Sequence, residues 1–350
     1  MSNSVDTRTV GVAMSGGVDS TVTVGLLLEQ GFSAHGFFML LPLPGIEEQV
    51  HKVRLVADRL QVPLHLVEMR ERFSQEIVAS FTTSYQQGLT PNPCVLCNRL
   101  IKFGYLMEEM RAQGVGRVAT GHYAQIQKKG RRFFLKRALD PAKDQSYFLN
   151  RLSSEQLESV VFPLGAWRKK HVFDQAQAMG FTHFGGGESQ DVCFLADQDL
   201  PSFFREQGLE SRSGEIATED GRVLGSHQGI WKYTVGQRRG LGIPDATPWY
   251  VIGLDAQENR VIVGKNKDLL RQEVFLSDVQ WRIDRPKRWQ GRVQLRSRHW
   301  AAEAEVVPVR GEDDAWRVWF NAPQRAITPG QFAVFYQDDL VVGSGVIQPD

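Results

Sequence analysis

Two groups of residues in this chain have the types and spacing that chemistry needs. The first is Ser15-Gly16-Gly17-Val18-Asp19-Ser20. The apolar run Val10–Met14 before it reads as a buried strand, and Thr21–Glu29 after it carries Val22, Leu26 and Leu27 at helical spacing. A glycine-rich turn between strand and helix aims free backbone N–H groups and a positive helix end at an anion. Gly16 and Gly17 allow close approach to that anion. Ser15 and Ser20 add hydroxyl donors, and Asp19 can orient a metal bound to phosphate. The plain alternative is a Gly-Gly turn capped by Ser and Asp. Neither G-x-x-x-x-G-K-[ST] nor G-x-G-x-x-G is present.

The second group is the three cysteines. Cys94 and Cys97 lie in Thr90-Pro91-Asn92-Pro93-Cys94-Val95-Leu96-Cys97-Asn98-Arg99. A helix expected to begin near Asn98 puts its positive end beside Cys97, and Arg99 and Lys102 add positive charge. All of this favours the reactive thiolate. Cys193 lies in Glu188-Ser189-Gln190-Asp191-Val192-Cys193-Phe194-Leu195, after Gly185-Gly186-Gly187. A lone cysteine is otherwise a small buried hydrophobe. A structural zinc site needs four ligands, so His122 would have to complete the set. A zinc deaminase also needs H-x-E, and His35, His51 and His65 are followed at the second position by Phe37, Val53 and Val67.

The elements that must hold these groups alternate in kind over the first 198 residues. Val10–Met14, Ala34–Leu40, Pro63–Val67 and Arg117–Thr120 read as strands. Val50–Leu60, Arg72–Tyr85 and Leu100–Met110 read as helices. Such alternation predicts an α/β domain with a parallel sheet and ligands at the carboxyl ends of its strands. After Glu210 short strands and Gly-rich turns take over, and from about Phe275 nearly everything alternates, as in a small antiparallel barrel or sandwich. The expected domains are 1–198, 199–274 and 275–350.

Composition bounds the classes. The chain has 350 residues, 42% of them hydrophobic, and a net charge of +1. It is large enough for two or three domains, and any nucleic-acid surface must be local. No apolar run approaches the ~20 residues of a membrane span. Met1–Arg8 lacks a signal-peptide pattern, and three cysteines make no disulfide framework. A cytoplasmic location without membrane partners is expected.

SGGVDS resembles the PP-loop of the ATP pyrophosphatases, which split ATP into AMP and pyrophosphate. With it, in order, come TPNPCVLCNRLIKFG, TGHYA (Thr120–Ala124), KDQSYFL (Lys143–Leu149), FPLG (Phe162–Gly165), ESQDVCF and YTVGQRRGLGI (Tyr233–Ile243). Together they resemble the bacterial tRNA-uridine 2-sulfurtransferase (tRNA-specific 2-thiouridylase) family over nearly the whole chain. That resemblance implies a PP-loop ATP-binding domain, a small central β-rich domain and a C-terminal tRNA-binding β-barrel. It also implies an enzyme that thiolates the wobble uridine of tRNA, taking sulfur from a cysteine desulfurase or a sulfur-relay protein.

By this similarity Ala13, Met14, Ser15, Gly16, Gly17, Val18, Asp19 and Ser20 cradle ATP with Mg²⁺, and Met39 and Gly121 contact the nucleotide. Asn92, Pro93 and Cys94 match positions that touch the target uridine. Lys143, Asp144 and Gln145 match one tRNA-contacting segment, and Arg296 and Ser297 another. Cys97 matches the nucleophile and Cys193 the persulfide carrier, the two forming a disulfide during turnover. Many family members have Asp where this chain has Cys94. Three thiols can hold a [4Fe–4S] cluster with one iron open, so a cluster on Cys94, Cys97 and Cys193 is the other expected route for sulfur.

Between Trp281 and Trp300 lie Arg282, Arg285, Lys287, Arg288, Arg292, Arg296 and Arg298 against one acid, Asp284. Trp281, Trp289 and Trp300 are interleaved among them. This basic, aromatic stripe suits backbone contacts and base stacking, and otherwise is a solvated strand face with core tryptophans. Lys128, Lys129, Arg131, Arg132, Lys136 and Arg137 form a second basic cluster, read as a hairpin. Two other readings stand beside the sulfurtransferase. A PP-loop amidating ligase leaves the cysteines and the stripe unexplained. A non-catalytic tRNA- or metal-binding module leaves the intact Ser15, Asp19 and Ser20 unexplained.

Overall fold

Valines 10 and 12 are fully buried because the strand that carries them is covered on both faces. That strand, β1 (Asp6–Ala13), is the middle of a five-stranded sheet. Its partners are β2 (Ser33–Leu40), β3 (Leu64–Glu68), β4 (Val115–Thr120) and β7 (Val160–Val161), in the order β3-β2-β1-β4-β7. Every pairing in it is parallel. A computed structural model provides these coordinates and describes residues 6–182, 192–195, 198–312 and 314–349. Glu188–Asp191 and the preceding Gly185–Gly187 lie outside the described residues; Cys193 lies within them.

The strand order reverses between β1 and β4, where Ala13 pairs with Thr120. Connections leave β1 and β4 in opposite directions there, opening the crevice in which doubly wound sheets bind ligands. Two helices cover the β1–β2–β3 side of that sheet, α1 (Val18–Glu29) and α2 (Ile46–Leu60). Val24 and Leu27 of α1 pack on the sheet with Val53, Val56 and Ala57 of α2. The opposite face of α1, Val22 and Leu26, meets Val172 and Ala176 of the helix Lys169–Ala178. Helix α1 is therefore buried on both sides and cannot shift without disturbing two clusters.

The cysteine motif differs from expectation in its helix. Helical backbone begins at Pro93, not near Asn98, with an α-helical turn Pro93–Leu96. It continues as a nine-residue π-helix, Cys97–Tyr105, and returns to α over Leu106–Ala112. Proline is suited to a first helical turn because its missing N–H has no partner there in any case. The wider π turn is braced from outside: Gln156 donates its side-chain amide to Arg99 O at 2.9 Å and to Phe103 O at 2.6 Å. Asn98, almost fully buried, donates to Phe148 O at 3.0 Å.

The chain packs as two units. One comprises Met1–Ile77, Cys94–Ala196 and Asp339–Val341; the other comprises Val78–Pro93, Asp197–Asp338 and Val342–Asp350. Val78–Pro93 joins the second unit because Phe81 and Tyr85 pack on Phe204, whose ring in turn meets Trp231. A hairpin in the first unit, β5 (Gln125–Lys129) with β6 (Arg132–Lys136), carries the second basic cluster. In the second unit, β8 (Gly214–Thr218), β9 (Val223–His227), β10 (Tyr250–Asp255) and β11 (Arg260–Gly264) form a small sheet around Ile216, Val251, Val261 and Val263.

Six further strands form the barrel: β12 (Leu270–Trp281), β13 (Trp289–Gln294), β14 (Ala302–Pro308), β15 (Trp316–Arg325), β16 (Phe332–Gln337) and β17 (Leu340–Ile347). Their order is β12-β15-β14-β13-β16-β17, and β12 pairs with β17 to close the ring. Closure removes the open edges that a sandwich would keep, which decides between the two expected forms. Inward residues such as Val274, Val293, Val306, Val318 and Phe320 are buried at every second position.

Candidate active site

Backbone geometry makes the phosphate loop. Gly16 has φ +76°, and a Cβ there would approach the backbone of Val53 to 3.4 Å. Gly17 caps α1 with extended backbone and no side-chain cap, so no side chain closes off the helix's positive end. The hydroxyls tighten the turn rather than filling it. Ser20 Oγ accepts from Ser15 N at 3.2 Å and donates to Gly17 O at 3.0 Å. Ala13 and Met14 lead into the loop from β1, and half-buried Met39 lies near the carboxyl end of neighbouring β2.

Asp19 has partners that sequence reasoning did not name. Lys169 Nζ lies 2.8 Å from both carboxylate oxygens, and the Tyr123 hydroxyl donates to Oδ1 at 2.7 Å. The ammonium also sits over the rings of Tyr123, at 5.6 Å, and Phe173, at 5.0 Å. Lys169 follows FPLG in sequence, but nothing in its own neighbours marks it as an ion-pair partner. Tyr123 stands in TGHYA, and only its motif pointed to it.

The TGHYA segment joins the phosphate loop to the cysteine helix. A Cβ on Gly121 would come within 2.9 Å of the Asp19 backbone and side chain, so only glycine lets the two loops meet. The next residue, His122, packs its ring near Phe103 of the π-helix at 5.9 Å and near Phe162 at 6.0 Å. Its Nδ1 lies 2.7 Å from Thr120 Oγ1. Burial, and then the charge of Lys102, hold this imidazole well below its ordinary range, so it is neutral. Tyr123 N donates to Gln145 Oε1 at 2.9 Å, and Gln145 N returns a bond to Tyr123 O at 2.8 Å.

Cys94, Cys97 and Cys193 are free thiols and feel one another electrostatically. The thiolate expected at Cys97 is overridden. Burial pushes its thiol up to about 12, although Lys102 pulls the other way. Burial likewise raises Cys94, and local desolvation with the neighbouring Cys94 raises Cys193 although that residue as a whole is exposed, again against Lys102. Desolvation of a sulfur anion outweighs a half-buried ammonium and a helix end. No group of three His, Cys, Asp or Glu side chains among the described residues converges on a single metal ion.

The residues matched to RNA contacts fall in different settings. Asp144 is internal: it accepts from Arg137 at 2.9 Å, Ala138 N at 3.0 Å, Ser146 N at 3.1 Å and Ser146 Oγ at 2.9 Å. Its carboxylate organises the segment that presents half-buried Lys143. Asn92 is half-buried and Pro93 buried, immediately before Cys94. In the second unit, Arg296 and Ser297 are exposed on the β13–β14 connection. Of the stripe's tryptophans, Trp281 and Trp289 belong to the barrel core, with Trp281 5.2 Å from Trp316 and Trp289 5.6 Å from Phe335. Trp300 is 85% exposed.

Comparison with known proteins covers nearly the whole chain. Family models described as a tRNA methyl transferase HUP domain, a tRNA methyl transferase PRC-barrel domain and an aminomethyltransferase beta-barrel domain match residues 8–197, 202–265 and 271–347. A Desulfotalea psychrophila protein named tRNA-specific 2-thiouridylase MnmA is 48% identical over 342 residues, covering 96% of this chain and 98% of that protein. Proteins of the same name from Trichlorobacter lovleyi and Syntrophotalea carbinolica are 43% and 42% identical, each covering 97% of its own length and 97% and 96% of this chain. The chain belongs to the tRNA-specific 2-thiouridylase family.

Proposed function

We propose that this protein is an ATP-dependent tRNA-uridine 2-sulfurtransferase acting on the wobble uridine. The observation that carries the reading is the TGHYA segment, which touches Asp19 of the phosphate loop through Gly121 and Tyr123 and meets the cysteine helix through His122. A site that splits ATP is thereby joined to thiols, the combination a thiolation needs. The domain models carry a methyl-transferase description, but methyl transfer has no use for such a loop beside three thiols, and the full-length relatives are named for thiolation.

The uracil C2 oxygen is a poor leaving group. Its attack on the ATP α-phosphorus forms the adenylate and expels pyrophosphate. Residues Ala13 to Ser20 bind the phosphates, with Met39 and Gly121 against the nucleotide. Asp19, still a third exposed beside Lys169 and Tyr123, is the loop carboxylate that would hold Mg²⁺, and the ion would offset the charge of the pyrophosphate group. Asn92, Pro93 and Cys94 contact the base, Lys143, Gln145, Arg296 and Ser297 contact the tRNA, and Asp144 holds the Lys143–Gln145 segment in place for that contact.

Sulfur reaches Cys193 as a persulfide from a cysteine desulfurase or a relay protein. Cys97 attacks the inner sulfur of that persulfide, releasing hydrosulfide and leaving a Cys97–Cys193 disulfide. Hydrosulfide adds to C2 and AMP departs with the oxygen. A two-electron thiol reductant restores both cysteines. The attack requires Cys97 to lose its proton, so bound substrate must change the surroundings that hold its thiol up.

The same three thiols fit an iron–sulfur cluster by donor chemistry. A cluster spreads its ligands over separate irons, so convergence on one point is not required, and coordination deprotonates a thiol outright. Cys94, Cys97 and Cys193 would hold it, and its open iron would carry sulfide. Free thiols and a tRNA substrate fit the cytoplasm, and no described helix is long and apolar enough to cross a membrane.

Mass spectrometry of substrate tRNA after incubation with ATP, Mg²⁺ and sulfide tests the reading. The expected result is one sulfur for one oxygen at the wobble uridine, lost on omitting ATP. Unmodified tRNA with a fully folded, iron-reconstituted protein would overturn it. Iron counting after anaerobic purification separates the two sulfur routes.

A further inference from the structure

Eight tryptophans occur in the chain, and Trp300 is the outlier among them. Trp231, Trp289 and Trp316 are buried, and Trp319 is 45% exposed, whereas Trp300 is 85% exposed. Its ring meets no other aromatic ring or cation among the described residues. Leaving an indole in water forfeits the largest apolar payload any side chain carries. Nothing in the barrel core requires that sacrifice, since Trp281, Trp289 and Trp316 already fill it.

The connection that carries Trp300 is held in place from within. Gln294, 4% exposed at the end of β13, donates its amide to Arg296 O and Ser297 O, both at 3.1 Å. His299 N closes a turn onto Arg296 O at 3.0 Å. The His299 ring is fixed at both nitrogens: Nδ1 accepts from Leu295 N at 3.4 Å and Nε2 donates to Gln324 Oε1 at 3.0 Å. A tip pinned by two internal side chains on a rigid barrel has little ordering entropy left to lose on binding. Arg296 and Arg298, both exposed, precede Trp300 by four and two residues on the same connection.

An exposed indole that follows two exposed arginines on one pinned connection has the makings of a nucleobase platform. Arginines engage phosphates, and an aromatic face stacks on an unpaired base of any identity. We propose that Trp300 stacks on an unpaired nucleobase of the bound tRNA, with Arg296 and Arg298 gripping the phosphates beside it. The inference rests on the tRNA reading above and adds a second base contact, remote in sequence from the residues matched to the target uridine. It also gives Gln294 and His299 a role, as positioning residues that hold the platform.

Unmodified substrate tRNA and the full-length protein provide the test. Trp300→Ala should weaken tRNA binding about 10-fold by filter binding, since base stacking on one aromatic is worth about 1–3 kcal/mol by such truncation. Trp300→Phe should recover most of the loss. Stacking releases no counterion, so the slope of log affinity against log salt should stay at the wild-type value for both variants. Arg298→Ala should instead lower that slope by about one unit. Thermal stability and ATP affinity should not move for either tryptophan variant, because the residue is 85% exposed and buries little in the free protein.

Fluorescence supplies a direct readout. The wild-type minus Trp300→Phe difference spectrum isolates the Trp300 emission, and tRNA should quench it. Wild-type affinity in Trp300→Ala, or an unquenched difference spectrum at saturating tRNA, would overturn the inference while leaving the tRNA reading intact. So would a Trp300-dependent change in oligomeric state without RNA, which would make the ring a protein contact. Failure of the wild-type protein to bind tRNA at all would instead remove the reading on which the inference stands.

Discussion

The Tyr123 hydroxyl donates to Asp19 Oδ1 at 2.7 Å, tying the segment after β4 to the phosphate loop after β1. The two strands are neighbours at the point where the sheet order reverses, so their carboxyl ends open into one crevice. A hydrogen bond to a charged group contributes about 1.5–3 kcal/mol. Tyr123→Phe should therefore raise KM for ATP about 10-fold or more in a pyrophosphate-release assay, with tRNA affinity unchanged. An unchanged KM would mean that Asp19 is held well enough by Lys169 alone.

Lys169→Met should be the more severe change. Its ammonium is nearly buried against a carboxylate that is 34% exposed. Removing one member of a buried pair costs about 3–5 kcal/mol, discounted here because water reaches Asp19. The expected outcome is a lower Tm and loss of pyrophosphate release. The double variant Asp19→Asn/Lys169→Met should regain much of the Tm but none of the activity. A double variant no more stable than Lys169→Met would show that the ion pair is not the source of the loss.

Gly121→Ala tests the close approach of the two loops. The added methyl would sit 2.9 Å from Asp19 atoms and 3.0 Å from Ser20 N, inside contact distance. Backbone on both sides leaves no cheap relief, so ATP affinity measured by calorimetry should fall at least about 10-fold. Wild-type affinity would count against this contact.

Thiol reactivity should follow exposure in the protein without tRNA. Cys193 is exposed and Cys97 is buried with its thiol pushed up to about 12. Brief alkylation with iodoacetamide at pH 8, read by peptide mass spectrometry, should label Cys193 first and leave Cys97 almost unmodified. Lys102→Met should slow labelling of Cys193, because it removes a charge that lowers that thiol. Rapid labelling of Cys97 would contradict the burial argument.

Acid should destabilise both units. His65 and His122 in one unit, and His227 and His299 in the other, are all shifted below the ordinary histidine value, chiefly by burial. In the unfolded chain each takes a proton near about pH 6.5. Below that pH the unfolded state binds more protons than the folded one, so stability falls as pH drops. Calorimetry should find every unfolding transition at lower temperature at pH 5.5 than at pH 7.5. His227→Gln should flatten the shift for the second unit, because fully buried His227 accepts from Gly229 N and donates to Asn259 O as a neutral ring. Equal transition temperatures at the two pH values would rule this out.

What was legible in the sequence is what local backbone chemistry dictates. Gly16 and Gly17 specify a turn that other residues strain to make, and Val10 and Val12 specify a strand buried on both faces. Alternation after Phe275 specifies antiparallel strands, although barrel and sandwich share that pattern and only closure of β12 on β17 separates them. The motif order was enough to suggest the family. Tertiary structure decided which charges meet, because partners distant in the chain carry no mutual mark: Asp19 and Lys169 are 150 positions apart. It also decided the state of the thiols. Positive charge near Cys97 was visible locally, but the depth at which Cys97 lies is set by elements packing from elsewhere, and desolvation then outweighs that charge. The tryptophans follow the same rule. Trp281, Trp289 and Trp300 look equivalent along the chain, and only the barrel sorts the first two into its core and turns the third to water.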